Sequence, residues 1–376
     1  MTTGTRKLSQ VIISGGGTGG HVFPALAIAD EIKKQHPEVK ILFIGAKGRM
    51  EMEKVPQHGY KIEGLWISGI QRKKVIRNLM LPFKLLSSLS RVRSLLKFHL
   101  PQVVIGVGGY ASGPLLYLAS RRGIPSLIQE QNSYPGVTNK VLAKYAGKIC
   151  VGYPGMEKYF PAEKIVYTGN PVRQFSAPTQ ELKEEAYKFF GFDKSKPILM
   201  VTGGSLGSGA INAVIFGLLD KFSSAGVQVL WQTGKLYYEA MRKQAEKENH
   251  QGLKIVPFFD KMEQAYAIAD CVISRAGAIT ISELALLGKA AILIPSPNVA
   301  EDHQTKNAAV LEAADAAILI KESVMQEKLF EAAIALLHDA ERRNTLEKNI
   351  GRFAKPDAAK DIVAEVEKLL TERNKW

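Results

Sequence analysis

The sequence predicts an α/β protein with two similar domains, each built on a parallel sheet. Two glycine-rich turns support this fold class, because each follows a short apolar strand and opens a helical pattern. They lie at Gly15–Gly20 and at Gly203–Gly209. With 376 residues, the chain is also long enough that two domains are expected rather than one core.

Strands and helices alternate through both halves of the chain, which favours parallel sheets. Pro24 is expected in the first turn of its helix, where a missing N–H costs little. The strand candidates are Val11–Ser14, Lys40–Ile44, Val103–Val107, Ser126–Gln129, Ile198–Thr202, Val227–Gln232, Lys254–Val256, Cys271–Ser274 and Ala290–Ile294. The helical patterns of the first half are Pro24–Lys34, Leu79–Lys97, Pro114–Arg121 and Thr138–Tyr145.

The domain boundaries are predicted from composition. Residues 1–173 form the expected first domain and residues 174–351 the second. Three prolines in the segment Gly169–Pro197 make it the best linker candidate. A C-terminal helix within 352–376 is expected to pack back on the first domain.

Nothing in the sequence indicates export or a membrane span, so a cytosolic protein is expected. Residues 1–10 lack the apolar core of a signal peptide. The longest uncharged stretch, Val103–Ser120, contains four glycines and a proline and is predicted as strand, loop and helix. Cys150 and Cys271 are too few for a metal cluster or a disulfide framework, and buried thiols are expected.

The positive charge is concentrated in one stretch. The net charge is +14, and between Glu63 and Glu130 there are ten Lys or Arg residues without any Asp or Glu. Basic and apolar side chains mixed in this way suit an anionic membrane surface. An amphipathic helix packed on a sheet is the alternative, and RNA is a third option that no nucleic-acid motif supports. The predicted membrane-contacting residues are Arg72, Lys73, Lys74, Ile76, Arg77, Leu79, Met80 and Phe83.

The first glycine-rich turn is predicted to let a phosphate approach bare N–H groups at a helix start. Its Gly15, Gly17 and Gly20 also fit a dinucleotide-binding turn, but that fold needs an acid at the end of the second strand. This strand ends at Leu42–Lys47 without one, and no Walker A lysine follows the turn. His21 would bring an imidazole beside the phosphate, and a simple tight turn is the alternative.

Seven motifs occur in a fixed order along nearly the whole chain. They are Gly16–His21, Gly108–Pro114, Glu130–Asn132 with Pro135, Gly136, Thr138 and Asn139, Gly169–Arg173, Gly203–Ser205, Arg275–Glu283, and His303 and Gln304 with Asn307 and Ala308. In this combination the chain resembles the GT-B glycosyltransferases. Within them it is most similar to the family 28 enzymes that transfer N-acetylglucosamine in peptidoglycan synthesis.

The resemblance implies two Rossmann-like domains that face each other across a cleft. It implies inverting transfer of N-acetylglucosamine from UDP-N-acetylglucosamine, held by the C-terminal domain. The implied acceptor is the 4-hydroxyl of undecaprenyl-diphospho-N-acetylmuramoyl-pentapeptide, held by the N-terminal domain. It also implies a peripheral protein at the cytoplasmic face of the bacterial inner membrane, on an anionic phospholipid surface. No cofactor and no nucleic acid are expected, and other cell-wall or division proteins are open as partners.

Individual residue roles also come from the resemblance. His21 is the candidate base, or else a group that contacts the diphosphate. Glu283 would bind the ribose hydroxyls, although Thr280 and Glu283 also have the spacing of a capping box. The other implied substrate-binding residues are Thr18, Gly19, Gly20, Asn132, Arg173, Ser205, Phe259, Ala278, Ile279, Thr280, Ile281, Ser282 and Gln304.

The chain departs from the family pattern at two positions. Gln129 replaces a histidine that is common before Glu-Gln-Asn, which removes acid–base chemistry at this point. Phe259 replaces a smaller apolar residue whose backbone contacts uracil. Asn132 and Gln304 would contact the donor sugar, and the Arg173 and Ser205 side chains would contact the diphosphate.

The sequence leaves two other functions open. A different lipid-directed GT-B enzyme, such as a diacylglycerol glycosyltransferase, would share the fold and the basic stretch but differ in the acceptor motifs. A non-catalytic nucleotide-sugar-binding scaffold is disfavoured by the complete set of donor and acceptor motifs.

The chain contains no Asp-x-Asp, the motif with which many sugar-nucleotide transferases hold a divalent metal. Arg173, helix N-termini and loop amides are predicted to neutralise the leaving diphosphate instead. We therefore expect turnover to persist in excess chelator, measured with and without EDTA. A complete loss of turnover that magnesium or manganese restores would contradict this prediction.

Overall fold

In the computed structural model the chain divides into two units. Unit 1 comprises Met1–Arg173 with Lys355–Trp376, and unit 2 comprises Gln174–Ala354. Each unit contains one sheet in which the described strand pairs are parallel, so the predicted α/β class is confirmed. The structure describes residues 8–69, 79–173, 175, 178–248 and 250–372.

Unit 1 is built on a seven-stranded sheet. Its strands are β1 (Gln10–Ser14), β2 (Lys40–Ala46), β3 (Lys61–Leu65), β4 (Val103–Gly106), β5 (Ser126–Glu130), β6 (Lys148–Val151) and β7 (Ile165–Tyr167). They lie in the order β3-β2-β1-β4-β5-β6-β7. The helices that connect them are α1 (Gly19–Gln35), α2 (Glu51–Gln57), α3 (Leu81–His99), α4 (Ser112–Arg121) and α5 (Val137–Leu142).

Unit 2 has a six-stranded sheet of the same kind. Its strands are β8 (Ile198–Thr202), β9 (Gln228–Gln232), β10 (Leu253–Val256), β11 (Cys271–Ser274), β12 (Ala291–Leu293) and β13 (Ile318–Leu319), in the order β10-β9-β8-β11-β12-β13. Its helices are α6 (Gln180–Phe190), α7 (Gly209–Ser224), α8 (Lys235–Glu248), α9 (Met262–Ile268), α10 (Ala278–Leu287), α11 (His303–Ala313), α12 (Met325–His338) and α13 (Ala340–Gly351).

The C-terminal helix α14 (Ala358–Glu372) belongs to unit 1. Both faces of the unit 1 sheet are covered, so consecutive residues of its central strands are apolar. Ile12 packs on one face with residues of α3 and α4. Ile13 packs on the other face with residues of α1 and α14. The C-terminal helix thus completes the core on one side of the sheet.

The nine strands that the sequence predicts are all present, with ends that differ by two residues at most. The strands β3, β6, β7 and β13 were not predicted. Three of these, β3, β7 and β13, lie at sheet edges, and β7 and β13 are only three and two residues long. Their side chains are mostly half-buried, so their hydrophobic periodicity is weak.

The helix boundaries that differ most from the predictions are the start of α1 and the end of α5. The prediction that Pro24 lies in the first turn of its helix is wrong, because α1 begins at Gly19 and Pro24 lies inside the helix. The prediction missed this because it started the helix at Pro24, whereas Gly19 and Gly20 already have helical backbone. The helix α5 ends at Leu142, before the predicted end at Tyr145. The C-terminal helix, Ala358–Glu372, lies within the predicted range 352–376 and follows turns that include Pro356.

None of the described helices combines the length and apolar character needed to cross a bilayer. Cys150 and Cys271 are fully buried free thiols, as predicted. Burial raises the pKa of the Cys271 thiol to about 12 and also raises the pKa of the Cys150 thiol. Both thiols therefore stay protonated and unreactive near neutral pH.

The packing of α14 predicts that it stabilises unit 1. Ile362, Val363 and Val366 are fully buried against the sheet and α1. Ile362→Ala should lower the free energy of unfolding by about 2–5 kcal/mol, since it removes buried methyl groups and leaves a cavity. Urea titration followed by circular dichroism measures this change. Lys360→Ala, at an exposed position of the same helix, is the control, and equal stability of both variants would contradict the prediction.

Candidate active site

Each sheet reverses its strand order beside the first strand of its unit. In unit 1 the strand β1 lies between β2 and β4, and in unit 2 the strand β8 lies between β9 and β11. In open parallel α/β sheets, ligands bind outside the carboxyl ends of the strands at such a switch point. Both glycine-rich turns follow these strands, so each unit has one candidate ligand site there.

His21 lies in the first turn of α1, next to the glycine-rich turn after β1. Its Nδ1 lies 3.0 Å from the carbonyl oxygen of Gly16. Because a carbonyl oxygen only accepts, Nδ1 carries the hydrogen, and the neutral imidazole keeps Nε2 as an acceptor. Gly108 flanks the ring, since a Cβ atom there would lie 2.8 Å from Nε2. The ring is therefore oriented so that Nε2 can take a proton.

Glu51, the first residue of α2, is a site residue that sequence reasoning missed. It is fully buried, and its carboxylate accepts hydrogen bonds from the N–H groups of Gly17 at 2.8 Å and Ala46 at 3.0 Å. The strand β2 ends without an acid, as predicted, but this carboxylate reaches the turn from α2. The Gly17 amide is therefore occupied, and the expectation of bare N–H groups is wrong at this residue. A glutamate soon after β2 was the only signal in the sequence.

The start of α1 retains the features of an anion site. The N–H groups in the first turn of a helix have no partner within the helix. The first turn of α1 contains no acidic residue. Thr18 and Gly20 are exposed there, and Gly19 is half-buried. Arg173 is exposed at the end of the segment that follows β7, at the same edge of the sheet.

The loop after β5 is organised by the buried carboxylate of Glu130. One oxygen accepts from the backbone N–H of Asn132 at 3.0 Å and from its side-chain amide at 3.2 Å. The other oxygen accepts from Gly136 N at 3.1 Å and from Asn139 Nδ2 at 2.9 Å. Four donors on one carboxylate hold the loop in a single conformation. The predicted ligand Asn132 is thus positioned by a glutamate of the same motif.

Gln129 is buried beside this loop within a network of side-chain amides. Its Nε2 donates to Asn170 Oδ1 at 3.0 Å, and Asn170 Nδ2 donates to the carbonyl of Gln131 at 3.0 Å. The Gln131 side chain donates to the carbonyl of Val107 at 2.8 Å. Gln129 is therefore a structural amide that ties the ends of several strands together.

The second glycine-rich turn connects β8 to the N-terminus of α7. Ser205 is exposed on this turn, and Ser208 caps the helix by accepting from Ile211 N at 3.4 Å. The first turns of α7 and α10 both lack acidic residues. The positive ends of these two helices are thus uncompensated where they follow the central strands, which favours an anionic ligand.

Arg275 connects three segments around this turn. Its guanidinium donates to Ser208 Oγ at 2.6 Å and to the carbonyls of Ile294 and Pro295 at 3.2 and 3.1 Å. It also forms an ion pair with Glu322 at 2.5 Å, and only 12% of its side chain is exposed. The guanidinium therefore holds the cap of α7 against the end of β12. Sequence reasoning included this arginine in a motif but did not foresee its structural contacts.

Glu283 lies on α10 and is buried, with Tyr266 donating its hydroxyl to the carboxylate at 3.4 Å. The N-cap of α10 is Gly277, and no side chain caps the helix. Thr280 lies within the helix, so the capping-box alternative for Thr280 and Glu283 is wrong. Glu283 therefore does not cap α10.

The other predicted residues of unit 2 lie on neighbouring elements. Gln304, on α11, accepts from the backbone N–H of Ser296 at 2.9 Å, which ties α11 to the loop after β12. Phe259 is 2% exposed in the segment between β10 and α9. The first turns of α10 hold the buried Ala278 and Ile281 and the half-buried Ile279, Thr280 and Ser282.

The described part of the basic stretch has an exposed apolar surface at the start of α3. Leu79, Met80 and Phe83 are 73%, 45% and 62% exposed. Lys84 lies 5.8 Å above the ring of Trp66, which is itself 45% exposed. Large apolar side chains grouped in this way are typical of a contact surface. The predicted residues Arg72, Lys73, Lys74, Ile76 and Arg77 lie outside the described residues.

Comparison with known proteins identifies both units. Residues 11–151 match the glycosyltransferase family 28 N-terminal domain, and residues 198–362 match the family 28 C-terminal domain. The chain is 51% identical over 364 residues to a protein of Christiangramia forsetii and, over the same length, to one of Parabacteroides distasonis. These alignments cover 97% of the chain and 98% and 99% of the relatives. Both relatives are named UDP-N-acetylglucosamine--N-acetylmuramyl-(pentapeptide) pyrophosphoryl-undecaprenol N-acetylglucosamine transferase.

Solved structures share the fold. MurG of Acinetobacter baumannii superposes with a TM-score of 0.76 at 30% identity, covering 96% of this chain and 99% of that one. The calicheamicin glycosyltransferase CalG4 superposes with a TM-score of 0.73 at 13% identity, covering 98% and 99% of the two chains, which bears on the fold alone. The predicted GT-B fold class of two Rossmann-like sheets is thus confirmed. With both domain models matched and half of its residues shared with the relatives, the chain belongs to glycosyltransferase family 28.

Proposed function

We propose that the protein transfers N-acetylglucosamine from UDP-N-acetylglucosamine to the 4-hydroxyl of undecaprenyl-diphospho-N-acetylmuramoyl-pentapeptide. The observation that carries this proposal is the 51% identity, over 97% of the chain, to relatives named for this transfer. The donor and acceptor motifs in both units support it, because each motif lies at the carboxyl edge of its sheet. The reaction produces the lipid-linked disaccharide precursor of peptidoglycan.

Unit 2 is assigned to the donor. The N-termini of α7 and α10 lie at its switch point and favour the diphosphate. Glu283 on α10 is assigned to the ribose hydroxyls, since a carboxylate accepts two hydroxyl protons well. Gln304 is assigned to the sugar hydroxyls. The backbone near Phe259 is assigned to uracil, and a buried phenylalanine at this point leaves a backbone contact intact.

Unit 1 is assigned to the acceptor, with His21 as the base. As the acceptor oxygen attacks the anomeric carbon, its proton moves to Nε2 of His21. The new carbon–oxygen bond forms while the bond from the anomeric carbon to the diphosphate oxygen breaks, and its electron pair leaves with UDP. Attack from the face opposite UDP inverts the anomeric centre. A base that accepts the proton in this way raises the rate by about 10²- to 10⁴-fold.

The leaving diphosphate needs positive partners. Ser205, on the turn after β8, and the helix N-termini of unit 2 supply donors that are already in place before the reaction. Arg173 is assigned to the same charge. Arg275 is not assigned to it, because its guanidinium is engaged by Ser208, two carbonyls and Glu322.

The protein is proposed to act as a peripheral protein on an anionic membrane at the cytoplasmic face. The acceptor carries a polyprenyl chain that stays in the bilayer, so the acceptor site must reach the surface. Exposed Leu79, Met80 and Phe83 at the start of α3, next to the basic residues before them, support this location.

A turnover assay with UDP-N-acetylglucosamine and a lipid-linked muramoyl-pentapeptide tests the function directly. In this assay Glu283→Ala should raise the donor KM by about 10- to 100-fold, because it removes hydrogen bonds to a charged group. Glu327→Ala, at an exposed position of α12, is the control. No product from the wild-type chain would contradict the proposed function. Unchanged UDP affinity together with a lower melting temperature would show that Glu283 is only structural.

Binding to anionic vesicles tests the membrane assignment. Reversing Arg72, Lys73 and Lys74 to Glu should weaken vesicle binding, since each cation near such a surface contributes about 1 kcal/mol. Binding should also weaken as salt rises, because salt screens this attraction. Turnover on bilayer-embedded acceptor should fall, while turnover on a short-chain, water-soluble acceptor should change little.

A matched control for this variant reverses three exposed lysines of unit 2, namely Lys243, Lys247 and Lys328. This control has the same net charge but should bind vesicles much like the wild type. Equal losses on both acceptors would mean that the basic stretch serves the active site or the fold instead.

A further inference from the structure

The peptide group between Gly16 and Gly17 is hydrogen-bonded at both ends. Its N–H donates to Glu51 Oε2 at 2.8 Å, and its carbonyl oxygen accepts from His21 Nδ1 at 3.0 Å. In a trans peptide such as this one, the N–H and C=O point in opposite directions. A buried carboxylate and an imidazole are therefore joined through a single peptide plane.

The backbone around the Glu51 carboxylate leaves a space that fits this side chain. A Cβ atom on Gly16 would lie 2.2 Å from Glu51 Oε1, and one on Gly45 would lie 2.5 Å from Glu51 Cγ. Both glycines thus leave the space that the side chain fills. The second oxygen accepts from Ala46 N at 3.0 Å, which ties the carboxylate to the end of β2. With both oxygens occupied, Glu51 has one orientation toward the turn.

The hydrogen bond to the Glu51 carboxylate changes the acceptor strength of the Gly16 carbonyl oxygen at the other end of the peptide. A hydrogen bond from an N–H to a carboxylate is stronger than one between neutral groups. It polarises the peptide, so that the carbonyl oxygen becomes a better acceptor. That oxygen then holds the Nδ1 hydrogen of His21 more firmly. It also stabilises the positive charge that the ring acquires when Nε2 takes a proton.

We propose that Glu51 is a positioning residue for His21, acting through the Gly16–Gly17 peptide. It fixes the tautomer with hydrogen on Nδ1 and thereby keeps Nε2 ready to receive the acceptor proton. A carboxylate performs this task for the histidine of a Ser-His-Asp triad by direct contact, whereas here one peptide group lies between them. The kinetic part of the proposal rests on the proposed function, while the tautomer part does not.

Nitrogen-15 NMR of the imidazole tests the tautomer directly. The His21 signal is assigned by its absence in His21→Asn. The wild-type ring should show hydrogen on Nδ1 alone, and Glu51→Gln should give a mixture of tautomers. The carboxamide fills the same space but has only one oxygen, so its NH₂ must face one of the two backbone N–H groups. A wild-type ring with hydrogen on Nε2, or no change in the variant, would overturn the proposal.

Kinetics separate positioning from general support of the fold. Glu51→Gln should lower kcat by about 10- to 100-fold, part of the contribution of a general base. The KM for UDP-N-acetylglucosamine should stay within about twofold, because the assigned anchors Glu283 and Gln304 belong to unit 2. In a His21→Asn background, Glu51→Gln should cause no further loss. Losses that multiply in the double variant would mean that Glu51 acts independently of His21.

Glu53→Gln, at an exposed position of the same helix, is the matched control and should leave both the spectrum and the kinetics unchanged. Melting temperatures of all variants identify any that fail to fold. If Glu51→Gln fails to fold, the wild-type spectrum still tests the proposal, because hydrogen on Nε2 would overturn it. Absence of turnover by the wild-type chain would count against the proposed function. The spectra would still accept or reject the effect of Glu51 on the His21 tautomer.

Discussion

The site of unit 1 depends on the close approach of backbone segments that have no side chain between them. A Cβ atom on Gly109 would lie 2.5 Å from the carbonyl oxygen of Gly16, and one on Gly108 would lie 2.7 Å from the His21 ring. Both residues also have positive φ angles, of 102° and 86° for Gly108 and Gly109. The turns after β1 and β4 can therefore meet, and the imidazole is held between them and α1.

In unit 2 backbone segments also approach each other closely, but the charged side chain beside the turn is positive rather than negative. A Cβ atom on Gly207 would lie 2.0 Å from the carbonyl oxygen of Thr233, so the turn after β8 also contacts backbone directly. Here the charged group beside the turn is the largely buried guanidinium of Arg275, which donates to two carbonyls and to the cap of α7. In unit 1 the carboxylate of Glu51 accepts from two N–H groups instead. In each unit a charged side chain thus holds the glycine-rich turn in place.

This difference of sign matches the chemistry assigned to each unit. A carboxylate beside the turn of unit 1 lowers the attraction of this turn for phosphate and suits the proposed role of His21 as a base. In unit 2 the helix ends lack acidic residues in their first turns, and the buried arginine is paired with Glu322. The positive ends of α7 and α10 then have no competing carboxylate in their own first turns, which suits the diphosphate proposed to bind there.

The sequence by itself determined the fold class, the two glycine-rich turns, the central strands and the order of the family motifs. These features are local: an apolar run, a turn without side chains and a helical pattern lie within about 20 residues. The family resemblance then pointed to His21, Asn132 and Glu283.

Only the tertiary structure decided how these residues are held. Glu51 is 34 residues from Gly17, and Arg275 is 67 residues from Ser208, so no periodicity relates the partners. Whether a glutamate after β2 faces water or a backbone amide depends on how the strand and the turn meet in the sheet. The edge strands β7 and β13 also depend on the fold, because they are too short to be predicted without their neighbouring strands. The N-cap of α10 is likewise Gly277 and not Thr280, which the sequence pattern offered as the cap. Contacts between distant segments form only when the chain is folded, and the orientation of the candidate site residues depends on those contacts.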